Sequence, residues 1–263
     1  LYFQSKISMK IAVLTKAIPK VKSLKIDSSE TWIDDSDVQY VMNEHDTYAL
    51  EEAILTKEKL NNNSEVIAIT MGPKNRSNQI MQEALAKGAD SGIIIENDNK
   101  ITDPLAFAKI FAEQIKDQKF DLIMCGLASY DLGSGQTSVL IGELLGMTTA
   151  TFAIGTEIGE NYIKVKKELE SGYSQWIKMS LPASISIQSG LNNPRYTSIK
   201  NVMNAKNKKV IIKKVEQEVV TMQGFTKFFV PQNEKQTEFI EGNVDAISDK
   251  IISIFKEDLK LIK

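Results

Sequence analysis

Two residue types that often carry chemistry are nearly missing from this chain: it has a single cysteine, Cys125, and a single histidine, His45. A lone cysteine excludes an intramolecular disulfide framework and any zinc site built from thiolates, and at the end of a strand it reads as a small buried hydrophobe. One histidine confines imidazole catalysis or metal binding to one position. No apolar run approaches the roughly 20 residues that a bilayer-spanning helix needs. Neither sign of charge prevails, with 32 Lys and Arg against 34 Asp and Glu and a net charge of −2, so no global field points toward nucleic acid or anionic lipid. The small cluster of Lys206, Lys208 and Lys209 does not change that. Internal repeats and low-complexity tracts are absent. No nucleic-acid partner and no membrane insertion are therefore expected. With no signal peptide after Met9, the expected location is cytoplasmic (bacterial or archaeal) or an organelle matrix.

What is present is a 263-residue chain that is 42% hydrophobic, enough for a substantial core in one large or two small domains. Residues 1–8 read as a purification-tag remnant, Leu1-Tyr2-Phe3-Gln4-Ser5, and a linker, with Met9 the expected native start. From there short β-branched runs alternate with longer amphipathic ones. Residues 10–15, 65–70, 91–95 and 120–125 read as strands. Residues 46–57, capped near Asp46, then 75–87, 103–116 and 136–145 read as helices, with Gly88 and Gly146 as stops. Strands buried on both faces and joined by crossover helices make a parallel sheet. Beyond Thr151 the pattern changes. Residues 161–166 and 173–179 alternate apolar and polar around Ser171-Gly172, an antiparallel hairpin with one solvated face. Residues 183–188 form a further strand, 210–236 are poorly patterned, and 243–262 read as a terminal amphipathic helix. The expected fold is α/β: a mostly parallel sheet with flanking helices, an antiparallel hairpin addition and a C-terminal arm. Its expected division is an α/β domain over 9–222 and, over 223–263, an arm and helix that contact a partner subunit.

In an open parallel sheet ligands sit beyond the carboxyl ends of the strands, so the loops after the strands are the informative ones. After the first strand, which ends near Leu14, comes Lys16-Ala17-Ile18-Pro19-Lys20 and a long excursion to Asn43. After the second comes Met71-Gly72-Pro73. After the fourth comes Gly126-Leu127-Ala128-Ser129-Tyr130-Asp131-Leu132-Gly133-Ser134-Gly135-Gln136-Thr137, the strongest ligand signal in the chain. Gly126, Gly133 and Gly135 permit close backbone approach, and Ser134, Gln136 and Thr137 supply polar groups beside the exposed amides of a helix start. That suits a phosphate, although such a loop also serves simply as a tight turn. It is neither a Walker loop nor a dinucleotide fingerprint, since the lysine of the one and the third glycine of the other are missing.

A second excursion follows the strand at 183–188. In Asn193-Pro194-Arg195-Tyr196 the proline removes a backbone donor and biases its neighbour to extended geometry. Ser198 then caps a short helix on which Ile199, Val202, Met203 and Lys206 recur at helical spacing. Pattern alone leaves open whether that apolar stripe folds onto the core or faces a partner. Together with Val165-Lys166-Lys167-Glu168-Leu169-Glu170-Ser171-Gly172 and Leu181-Pro182-Ala183, this segment closely resembles the signature of the beta subunit of electron transfer flavoproteins. Gly126, Asp131, Gln136 and Thr137 match that family's nucleotide loop. Asn43 and Tyr48-Ala49-Leu50-Glu51-Glu52-Ala53 match its Asn-Pro-Tyr-Asp region. The matches run in order from Met9 to about Lys209. The sequence departs from the pattern at Leu127, where a lysine is usual, at Gly133 and Glu44, and in Lys16-Ala17-Ile18-Pro19-Lys20.

The resemblance implies an adenine-nucleotide alpha-hydrolase-like sheet and a heterodimeric electron carrier without catalytic residues of its own. It implies a structural AMP, or a second FAD in electron-bifurcating members, and an FAD shared with the alpha subunit. Leu14, Asn43, His45, Met71, Gly126, Ala128, Asp131, Ser134, Gly135, Gln136 and Thr137 are the cofactor-binding candidates it implies. His45 falls where the family often has an aromatic residue near the shared FAD, although a lone histidine at a helix start also serves as a solvated or capping residue. Residues 190–209 become a recognition loop for acyl-CoA or other dehydrogenases, with Ile199, Val202 and Met203 as its apolar face and a quinone oxidoreductase or other acceptor downstream. An adenine-nucleotide enzyme or sensor of the same fold remains the alternative, but Lys16 to Lys20 has the wrong composition for its ATP motif. Trp32 and Trp176 read as packing residues, and Glu51-Glu52 as the start of a helix.

Overall fold

Isoleucine, valine and alanine fill the central strands because a strand covered on both faces has no wet side for polar residues. The computed structural model describes residues 8–20, 25–60, 63–215, 220–231 and 237–261, so the expected tag remnant lies outside the described residues. The elements are β1 (Lys10–Leu14), β2 (Ala17–Pro19), β3 (Tyr40–Met42), α1 (Glu44–Leu60), β4 (Glu65–Gly72), α2 (Lys74–Lys87), β5 (Ser91–Glu96), α3 (Pro104–Ile115), β6 (Leu122–Gly126), α4 (Thr137–Leu144), β7 (Thr148–Ile158), β8 (Tyr162–Glu168), β9 (Ser174–Ser180), β10 (Ala183–Ile187), α5 (Ile199–Ala205), β11 (Val210–Lys214) and α6 (Val244–Ser253).

Nine strands form one sheet in the order β11-β5-β4-β1-β6-β10-β7-β8-β9. Every pairing from β11 to β7 is parallel, and β8 and β9 add to the far edge antiparallel, as the α/β reading expects. Alternate residues of β1 face opposite layers. Ile11 and Val13 pack with Leu50 of α1 and Ile80 and Leu85 of α2, while Ala12 and Leu14 pack with Phe111 and Ile115 of α3 and Ile141 of α4. The result is a three-layer α/β/α core with its sheet in the middle.

Three strand features go beyond the sequence reading. β2 and β3 pair as a small two-stranded sheet within the excursion to Asn43. β7 is an eleven-residue strand that pairs in parallel with β10 and antiparallel with β8. Its register shifts against both neighbours, and Phe152 takes a left-handed φ of 58° beside the shifts. A bulge of this kind breaks the apolar alternation by which a strand is recognised. β11 lies within the stretch read as poorly patterned and pairs with β5 at the sheet edge.

The chain divides into a unit over 1–228 and a second over 229–263. In the second, Asn243 caps α6 by accepting the Ala246 amide hydrogen at 2.9 Å, and none of its described residues is buried.

Candidate functional site

Strand order reverses beside β1, with β4 and β5 on one side and β6 on the other. The carboxyl ends of β1 and β6 therefore diverge into loops that run opposite ways, and a crevice opens between them. It encloses about 200 Å³. Leu14, Met71, Pro104 and Phe107 supply apolar walls, and the loop after β6 closes one side.

A buried carboxylate ties the two lips of the crevice together. Asp46, in the first turn of α1, accepts from the Lys16 amide at 2.8 Å, the Gly126 amide at 3.2 Å and Asn43 Nδ2 at 3.1 Å. Burial pushes its carboxyl up to about 7 against the opposing pull of those donors. Asn43 Nδ2 also donates to the Ala128 carbonyl at 2.9 Å, and Asn43 Oδ1 accepts from the Tyr130 amide at 3.3 Å. Lys16 crosses the same gap with its side chain, pairing with Asp131 at 2.7 Å and Ser129 Oγ at 3.1 Å. Gly126 is required here by α1: a Cβ would lie 2.4 Å from Asp46 Oδ1 and 2.6 Å from His45 Cβ.

Nine of the eleven cofactor candidates line this one crevice: Leu14, Asn43, Met71, Gly126, Ala128, Asp131, Ser134, Gly135 and Thr137. Gln136 is exposed and His45 stands outside the lining, its ring 4.9 Å from that of the exposed Tyr130. Gly133 and Gly135 both have a φ of 63°, the left-handed geometry that turns the loop into α4. Among the described residues, the amides of Gly135, Gln136 and Thr137 donate to no protein acceptor. Cys125 also lines the crevice, but burial pushes its thiol up to about 12 and leaves it inert. Among the described residues no cluster of His, Cys, Asp and Glu could hold a metal ion, and no helix is long and apolar enough to cross a membrane.

At the rim, Trp32 packs against Phe225 and Phe228 at ring-centroid distances of 6.4 and 5.7 Å, and Lys100 Nζ lies 5.6 Å from the indole. Trp32 is thus both a packing residue and part of the crevice wall. Also in the lining, Arg76 pairs with Asp35 at 2.7 Å and stacks on Tyr40.

Residues 31–218 match the model of the electron transfer flavoprotein domain. The chain is 34% identical over 200 residues to the electron transfer flavoprotein subunit beta of Dictyostelium discoideum, covering 76% of this chain and 78% of that one. It is 28% identical over 238 residues to the subunit of the same name from Bacillus subtilis, covering 88% and 91%, and 30% identical over 203 residues to that of Homo sapiens, covering 76% and 78%. The chain belongs to the electron transfer flavoprotein beta-subunit family.

In this electron transfer flavoprotein subunit the excursion after β10 is tied down by ion pairs. Arg195 Nε and Nη2 both reach the buried Glu51 at 2.9 Å, and Nη1 reaches Glu58 at 2.9 Å. These carboxylates hold the guanidinium charged even more firmly than usual. Asn192 donates to Glu52 at 3.1 Å and to the Tyr48 carbonyl at 3.0 Å. Glu51 and Glu52 therefore sit in the middle of α1 as anchors, rather than at a helix start. Ser198 caps α5 through the Asn201 amide, as the sequence suggests. The stripe that could have joined the core faces outward: Ile199 is 83% exposed, Met203 65% and Val202 46%.

Sequence reasoning passed over Asp46 as a structural centre and Arg195 as an anchor. The signal for Asp46 was its place three residues after Asn43, at the start of a helix whose next apolar residues face the sheet. Arg195 was legible only as part of a motif.

Proposed function

We propose that this chain is the beta half of a heterodimeric electron carrier, that it holds AMP in the crevice between β1 and β6, and that it pairs with an alpha subunit to enclose a shared FAD. The observation that carries the nucleotide reading is the row of amides at Gly135, Gln136 and Thr137, unpaired among the described residues, at the start of α4 beside a crevice at the topological switch that Gly135 and Thr137 line. Such amides suit a phosphate, because each offers a fixed donor at the positive end of a helix. Lys16 and Arg76 are already paired with Asp131 and Asp35, which leaves the backbone donors of the loop, with Lys100 at the rim, to take the phosphate. Leu14, Met71 and Phe107 offer an apolar wall suited to a base. FAD supplies the redox chemistry when bound, and this chain contributes a frame for it.

The exposed face of α5 supports the second half of the reading. A seven-residue helix carrying Ile199, Val202 and Met203 outward, anchored through polar groups at Asn192 and Arg195, suits docking to an acyl-CoA or other dehydrogenase. Electrons would pass onward to a quinone oxidoreductase or another acceptor.

Mass spectrometry of the nucleotide released on denaturing the purified chain tests this directly. AMP near one per chain, with no flavin absorbance before denaturation, is the expected result. FAD in its place would assign the chain to the electron-bifurcating kind, and ATP turnover by the isolated chain would overturn the carrier reading in favour of an enzyme.

A further inference from the structure

The nucleotide reading gives Asp46 no task, yet this carboxylate joins three separate parts of the chain. It accepts from Lys16 at the exit of β1, from Gly126 at the exit of β6 and from Asn43 just before α1. Asn43 spends its two amide hydrogens on Asp46 and the Ala128 carbonyl and receives the Tyr130 amide, so its side chain is committed to the protein. The two lips of the crevice are thus set by one buried group acting partly through another.

Resting on the nucleotide reading of this crevice, we propose that Asp46 is the positioning residue of the site: through Asn43 and the Lys16 and Gly126 amides it fixes the glycine loop against the end of β1. The ligand then meets amides already in place. A carboxylate is the only group of this size that accepts on both of its oxygens. Oδ2 faces the Lys16 amide, and Oδ1 faces the Gly126 amide and Asn43 Nδ2. Asparagine has the same shape but one acceptor, so its amino group would meet an N–H whichever way it turned. One lip would be released. A second substitution reaches the same end while keeping the carboxylate's chemistry: alanine at Gly126 would place a Cβ 2.4 Å from Asp46 Oδ1 and 2.7 Å from the His45 backbone carbon, forcing them apart.

A merely structural role would lower stability without singling out the ligand. The control is Ile163→Ala, a cavity at a fully buried position of β8 that does not line the crevice. Equilibrium dialysis of the nucleotide-free full-length chain against AMP, and in parallel against FAD, reads the affinity, each variant being compared at the same margin below its own Tm. Asp46→Asn and Gly126→Ala are both expected to weaken whichever nucleotide the unmodified chain takes by about tenfold or more, with Ile163→Ala within about twofold. Unchanged affinity in Asp46→Asn, or an equal loss in Ile163→Ala, overturns the proposal. Should Asp46→Asn fail to fold, Gly126→Ala decides alone. If the unmodified chain takes neither nucleotide, the reading underneath fails first, and it does so before any variant is compared.

Discussion

Asp46 is pulled two ways. Three donors favour its charged form, and full burial favours its neutral form and prevails, lifting the carboxyl from 3.8 to about 7. A carboxyl with a higher pKa folded than unfolded contributes stability in full below its unfolded value, and that contribution fades as pH rises through the folded one. The amount at stake is on the order of 4 kcal/mol. Asp46→Asn removes the titration, so the stability difference between the unmodified chain and this variant, from urea unfolding at pH 4.5 and 7.5, is expected to shrink as pH rises. A difference that holds constant or grows would mean that the hydrogen bonds outweigh burial. In the sequence, Asp46 looks like a helix cap because a carboxylate in a first turn usually meets only amides of its own helix. Here it turns toward the ends of two strands, a relation set by the sheet and invisible to local pattern. Gly126 was legible as a place where something approaches the backbone. That the visitor is α1 was not.

Glu51, Glu58 and Arg195 tie an exposed element to a buried one, and the two ends of that tie should respond differently to substitution. Arg195→Met leaves Glu51, only 6% exposed, as an uncompensated charge, which costs about 2–4 kcal/mol on urea unfolding and raises amide exchange across 191–198. Ile199→Ala acts on a side chain already in water, so it should move stability by no more than about 0.5 kcal/mol while slowing reduction by the dehydrogenase proposed as its partner. Loss of stability in Ile199→Ala, or none in Arg195→Met, would reverse the assignment of which face is anchored. The elements themselves divide by how much neighbours dictate them. The strands β1, β4, β5 and β6 were readable because burial on both faces demands an unbroken β-branched run, and the helices between them carry clear starts and stops. β7 was not, since Phe152 and its register shifts interrupt the alternation, and β11 was not, since Val210–Lys214 becomes a strand only by pairing with β5. The crevice was located by topology, whereas local pattern left the orientation of α5 open and only the family resemblance pointed its stripe outward, where Arg195 and Asn192 hold its approach.

At the scale of the molecule, the ending of the first unit at Phe228 makes a sharp prediction about truncation. The stretch before that point is bound in: Asp103 accepts from the Met222 amide at 2.6 Å, the Phe228 amide donates to the Glu30 carbonyl at 2.6 Å, and Phe225 and Phe228 pack on Trp32 in the crevice wall. Beyond it, no described residue is buried, and α6 has ten residues, short of the roughly 12–15 that an isolated helix needs in water. A chain cut after Phe228 should therefore unfold cooperatively within about 2 °C of the full chain and take the proposed nucleotide as the full chain does. A chain cut after Met222 loses both aromatic contacts to Trp32, worth about 0.5–1.5 kcal/mol each beyond their buried area, and should melt several degrees lower with a weakened site. Calorimetry separates the two cuts, and size-exclusion chromatography with the alpha subunit shows what the removed arm does. Arm residues such as Ile251, Ile252 and Phe255 are 39%, 45% and 41% exposed, an apolar face suited to a partner surface, so both cuts should impair association. Equal melting of the two truncations would place the boundary earlier in the chain, and full association of both would move the contact with the alpha subunit onto the first unit.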